Sequence, residues 1–131
     1  MSHFVRIKTQ LRERDHVVEA LRALHHNFKE GENLVVRGYA GGKETAQIVV
    51  DTNTSYDIGL RRESAGYEVV ADWWGVERGG RIRQQSFVQE LQQQYAYSIV
   101  RVKAREQNLV WEEETVQENG EIVILLAERF S

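Results

Sequence analysis

The chain has 131 residues and contains neither cysteine nor proline. Without thiols there are no disulfides, no thiolate metal sites and no cysteine nucleophile. Without proline no helix carries a proline kink, and turns rely on Gly, Asn, Asp and Ser. Long apolar runs are missing as well, and none approaches the ~20 residues that span a bilayer. Met1-Ser2-His3-Phe4 lacks a basic segment followed by an apolar one, so a soluble, cytoplasmic protein with no membrane insertion is expected. A net charge of −3 gives no long-range attraction for nucleic acid.

What is present suits a single domain over 1–131, since 41% of the residues are hydrophobic. A chain of this length buries roughly two thirds of its unfolded surface. The organising stretch is Tyr56 to Val76. Ile58 and Leu60 alternate with Asp57, Gly59 and Arg61, the period of a strand with one face in the core. Tyr67, Val69, Ala71 and Trp73 then alternate with Glu68, Val70, Asp72 and Trp74. With Gly66 closing the connection, the two runs predict an antiparallel hairpin. On this reading Trp73 and Trp74 point to opposite faces of the second strand, Trp74 outward.

Around this hairpin, His3 to Leu11 alternates as a first strand. Arg12 to His26 carries Val17, Ala20, Leu21, Leu24 and Phe28 at helical spacing, with Asp15 as N-cap and Gly31 ending the helical region. Leu34–Arg37 and Ala46–Asp51 read as strands joined by a turn. Gly75 to Arg83, with three glycines and a basic end, reads as the most mobile loop. Ser86 to Asn108 fits a helix that bends or breaks near Tyr95 to Tyr97, with Ser98–Lys103 open between helix and strand. Asn119-Gly120 between Trp111–Val116 and Glu121–Phe130 predicts a last hairpin, with the stretch from Leu109 to Thr115 at an edge or facing water. The order β-α-β-β-β-β-α-β-β predicts an α+β fold: an antiparallel sheet of successive hairpins with two helix regions packed on one face.

Chemistry is sparsely marked. His16, His25 and His26 share no metal-ligand spacing, and adjacent histidines on a helix diverge by about 100°. Neither a metal nor a cofactor is expected. Gly38 to Lys43 lacks the spacing of a phosphate-cradling loop and is followed by a strand rather than a helix. Asp57, Glu68 and Asp72 beside Arg61 and Arg62 on the outer hairpin face are explained by cross-strand salt bridges, and no catalytic residue is assigned. Arg37, Arg61, Arg62, Arg78, Arg81 and Arg83 with Tyr39, Tyr56 and Trp74 could stack single-stranded bases on the sheet face. The same residue types are those enriched at protein–protein hot spots, which the acidic balance of the chain favours.

Five separated motifs carry a resemblance over nearly the whole chain: MSHFVRIKTQL, VVRGY at Val35, YDIGLRR at Tyr56, YEVVADWWGV at Tyr67 and QQYAY at Gln93. Together they resemble the small family named hypothetical chloroplast reading frame thirty-five, with members in cyanobacteria, algal plastids and some phages. The resemblance implies a cytoplasmic or stromal accessory factor of unknown function without accepted catalytic residues, linked to photosystem biogenesis or to ferredoxin-like proteins.

Two readings of function follow. A non-enzymatic interaction module would bind a protein partner through Arg61, Arg62, Asp72, Trp74, Arg78 and Arg81, and it requires Trp74 exposed on a flat surface. A small-ligand or nucleotide-binding domain would use a cleft between sheet and helices lined by Tyr56, Tyr67, Trp73 and Tyr95, and it requires a concave apolar pocket.

Overall fold

β-Branched residues run consecutively in the central strands, as Ile48-Val49-Val50 and Val69-Val70, and each strand finds an antiparallel neighbour. In the computed structural model, which describes residues 3–41 and 43–128, the elements are β1 (Val5–Lys8), α1 (Arg14–Ala23), β2 (Asn27–Arg37), β3 (Lys43–Asp51), β4 (Asp57–Glu63), β5 (Gly66–Ala71), α2 (Trp73–Arg78), α3 (Gln84–Glu106), β6 (Leu109–Val116) and β7 (Ile122–Glu128). The chain is α+β, as expected. It forms two compact units, one ending at Tyr95 and one beginning at Ala96. Among the described residues no helix is long and apolar enough to cross a membrane.

The first unit is a five-stranded antiparallel sheet in the order β1-β5-β4-β3-β2. The expected central hairpin is β4–β5, with Leu60 opposite Val69 and Glu63 opposite Gly66. Only glycine suits that corner, because a Cβ at Gly66 (φ +150°) would lie 2.6 Å from the Thr9 carbonyl oxygen. β1 and β2 are the two edges, so α1 carries the chain from one edge of the sheet to the other. Ile48, Val50, Ile58, Leu60, Val69 and Ala71 share one face and are fully buried. Val17 and Leu21 of α1 are fully buried too, each contributing about 1.5–3 kcal/mol.

The opposite face is closed at its centre by Val36, Ala46 and Val49 with Phe4 and Leu34. A Cβ at Gly59 would lie 2.5 Å from Val36, and one at Gly38 would lie 2.5 Å from the Phe4 ring. Asp57, Glu68 and Asp72, expected on an outer face, are therefore buried at 5%, 7% and 1% exposure.

Several boundaries differ from expectation. α1 ends before His25 rather than at Gly31, and Phe28 belongs to β2. His25 takes a positive φ of 62°, its N–H bonds to the Arg22 carbonyl, and the His26 N–H bonds to the Leu21 carbonyl. That is a Schellman termination with histidine where glycine usually stands. Gly31 instead sits within the register shift of β2 between Glu30 and Leu34. The strand β5 stops at Ala71, and the tryptophans open α2 rather than ending a strand: the Asp72 carbonyl accepts from the N–H groups of Gly75 and Val76. Four of the nine residues of the expected loop 75–83 are thus helical. α3 runs unbroken through Tyr95–Tyr97, so Ser98–Lys103 is helix, and the expected break is absent. Gly42 of the turn before β3 and Phe130 of the last expected strand lie outside the described residues.

In the second unit β6 and β7 form their own two-stranded sheet around the Asn119-Gly120 turn, Gly120 having φ +85°. The stretch from Leu109 to Thr115 is an edge strand, as expected. Tyr97 of α3 donates its hydroxyl hydrogen bond to Glu114 and packs on Trp111, ring centroids 5.7 Å apart.

Candidate functional site

α2 has six residues, and the side chains of Trp74 and Arg78 fall on one side of it because they are four apart. The Arg78 guanidinium sits 4.6 Å from the centre of the Trp74 ring. Trp74 is 49% exposed whereas Trp73 is 5% exposed, since consecutive helical residues diverge by about 100°. Trp73 packs toward Phe87, centroids 6.0 Å apart. One tryptophan in and one out was expected of a strand; a helix produces the same division.

Two glycines bring α2 against the loop before β4. A Cβ at Gly75 would lie 2.2 Å from the ring of Tyr56, and one at Gly79 would lie 2.6 Å from Cγ2 of Thr54. The loop is tied by its own hydrogen bonds. The Thr54 hydroxyl accepts from the Tyr56 N–H at 3.0 Å, and the Thr52 hydroxyl bonds to the Tyr56 carbonyl and lies 2.7 Å from that of Thr54. Asp72 adds a third support, its Oδ2 accepting from the Tyr39 N–H at 3.2 Å. Tyr39 is 53% exposed. The result is a shallow depression of about 430 Å³ lined by Tyr39, Thr54, Ser55, Tyr56, Trp74, Gly75, Arg78 and Gly79.

Of the residues expected to bind a partner, Trp74 and Arg78 come together on this shelf. Arg81 is exposed on the loop that follows α2. Asp72 is buried behind the shelf and acts on it through Tyr39. Arg61 lies elsewhere, in a four-charge group: its guanidinium is 2.7 Å from Glu44 and 3.7 Å from Glu68, and Arg6 pairs with both carboxylates. Arg62 pairs with Glu32 at 3.4 Å and donates its N–H to Gln47 at 2.7 Å.

The four residues expected around a cleft are dispersed. Tyr56 is on the shelf. Tyr67 is 1% exposed, and burial raises its phenol pKa against the opposing pull of Arg62 and Arg14. Trp73 is in the core. Tyr95 caps α1, its hydroxyl oxygen accepting from the N–H groups of Arg12 (3.2 Å) and Glu13 (3.0 Å).

A second concavity, of about 650 Å³, lies on the β2–β3–β4 side of the sheet, lined by Phe28, Leu34, Val35 and Val49 with Asn27, Lys29, Arg37, Asp51 and Asp57. Its ordered corner is Arg37 on Asp57: Nε to Oδ2 2.9 Å, Nη2 to Oδ1 2.8 Å, with the Arg37 N–H also donating to Oδ2 at 2.9 Å. The hydrogen bond to Asp57 raises the Arg37 pKa further. Sequence reasoning missed this groove, because Arg37 and Asp57 are twenty residues apart with no local pattern joining them. Among the described residues, no three His, Asp or Glu side chains converge as a metal site would require.

Comparison with known proteins gives relatives but no chemistry. The chain is 35% identical over 132 residues to "Uncharacterized protein ycf35" of Guillardia theta, covering 96% of each chain. It is 30% identical over 100 residues to the protein of the same name from Cyanophora paradoxa, covering 76% of each. No solved structure matches the chain. Residues 20–125 match the family model described as "Protein of unknown function (DUF1257)", and the chain belongs to that family, to which the ycf35 proteins are its relatives.

Proposed function

We propose that the chain is a non-enzymatic interaction module that binds a protein partner on the shelf of Trp74, Arg78, Tyr39 and Tyr56. The observation that carries this reading is Trp74: a large aromatic ring, half exposed, held in place by Arg78 on one side and by a glycine-seated helix beneath. Exposed aromatic and arginine side chains on a preorganised support are the residues from which binding hot spots are made. A partner among photosystem-assembly proteins is part of this proposal. Affinity capture from a native lysate with wild type and with Trp74→Ala, both verified as folded, tests the reading. A discrete set of proteins held by wild type and lost by the variant supports it; identical or empty captures overturn it.

The groove beside Arg37 and Asp57 favours a second reading, a small-ligand site. Its floor is apolar and its polar groups converge at one corner, the arrangement of a pocket for a compact, partly apolar molecule. A ligand screen by thermal shift, repeated with Val49→Arg to fill the floor, separates the two readings. Ligands for which the stabilisation vanishes in that variant support the groove, and ligands that stabilise both proteins equally do not use it.

A further inference from the structure

Among the described residues the strand β7 pairs with β6 alone, and the hairpin bears exposed apolar side chains. Glu114 and Trp111, which contact Tyr97, pair across the hairpin with Ile124 and Leu126, so that side faces α3. The other side bears Val123 (44% exposed) and Leu125 (50% exposed) opposite Thr115 and Glu113. A two-stranded ribbon with apolar residues on both faces gains from a third layer or a third strand. The edge of β6 is guarded by a register shift at Trp111/Glu113 and by three consecutive glutamates. β7, reading Ile122-Val-Ile-Leu-Leu-Ala-Glu128, has no lysine, proline or irregularity along its length to keep another strand away.

Charge identifies the occupant. From Leu109 to Glu128 the chain holds six glutamates, Glu112, Glu113, Glu114, Glu118, Glu121 and Glu128, and no Lys or Arg. That sign repels nucleic acid and anionic membranes, and it repels a second hairpin of the same kind. We propose that the outer edge and face of β7 dock a cationic β-strand of a protein partner. Backbone hydrogen bonds along Ile122–Glu128 would supply the affinity, Val123 and Leu125 the side-chain contact, and the glutamates the choice of partner. This surface is independent of the Trp74 shelf.

The probe is a short synthetic peptide of alternating lysine and valine, titrated into the isotope-labelled full chain, with an alternating glutamate and valine peptide as control. The expected result is slowed amide exchange confined to Ile122–Glu128 with the lysine peptide alone, and binding that weakens roughly tenfold as salt is raised. Leu125→Asn, which removes the apolar contact at an exposed position without adding charge, should weaken binding while leaving the hairpin amide pattern intact. Glu112→Lys with Glu113→Lys should weaken binding without touching β7. Equal binding of both peptides, protection outside β7, no binding, or protection of β7 that grows with protein concentration without peptide would overturn the proposal.

Discussion

The ring of Tyr56 lies against Gly75 so closely that a single Cβ at Gly75 would fall 2.2 Å from its carbon atoms. No side chain fits there unless the ring or the helix moves. Gly75→Ala should therefore destabilise the fold by about 1–3 kcal/mol, the range for overpacking a filled site. It should also shift the Trp74 indole, since that residue is next in the same six-residue helix. Urea unfolding and the emission spectrum of a Trp73→Phe, Trp111→Phe background, in which Trp74 is the remaining indole, check both effects.

Tyr95 replaces a missing cap. Glu13 stands at the N-cap of α1 without a side-chain hydrogen bond, and the Tyr95 hydroxyl serves the N–H groups of Arg12 and Glu13 instead. Tyr95→Phe keeps the ring and removes that acceptor. A loss of about 0.5–2 kcal/mol is expected in chemical denaturation, comparable to the loss of an N-cap. Hydrogen exchange should quicken at the first turn of α1 before it changes in the sheet.

These two contacts show what the sequence could and could not convey. The β4–β5 and β6–β7 hairpins were legible because alternation and turn glycines are local signals, as was the stripe of α1. α2 was not, since six residues give less than two helical turns and no period to read. A usable signal was present in Gly75 and Gly79, four apart, the spacing that lets a helix approach a neighbour closely. The end of α1 was misplaced because His25, not a glycine, takes the positive φ. Trp74 and Arg78 were individually nominated, but their pairing needs the helix. Arg37–Asp57 and the Arg6–Glu44–Arg61–Glu68 group depend on strand order, which no local pattern encodes.

The Arg37–Asp57 clamp ties the end of β2 to the start of β4 through a buried carboxylate. Asp57→Asn removes the charge and keeps the shape. It should cost about 1–3 kcal/mol, the range for hydrogen bonds to charged groups. Denaturant midpoints of Asp57→Asn, Arg37→Gln and the double variant measure the coupling, which should be less than additive.

His26 gives the fold a pH dependence. Burial, opposed by the nearby Glu90 carboxylate, lowers its pKa below the ordinary 6.5, and its ring lies 5.3 Å from that of Phe87. The unfolded chain then takes up a proton at a higher pH than the folded one. Stability from His26 is complete above pH 6.5 and declines as pH falls below it toward the lowered folded value. Urea midpoints from pH 7.5 to 5.5 should fall more for wild type than for His26→Gln. An equal slope in both proteins would remove His26 as the cause.

The most direct test of the account places a photo-reactive benzoylphenylalanine at position 74, and in a second protein at position 19, where Glu19 is exposed on α1. Illumination in cells should yield a discrete covalent adduct with a protein from position 74 and none of that mass from position 19. No adduct at position 74, or the same adducts from both positions, would contradict the assignment of the Trp74 shelf as the binding surface.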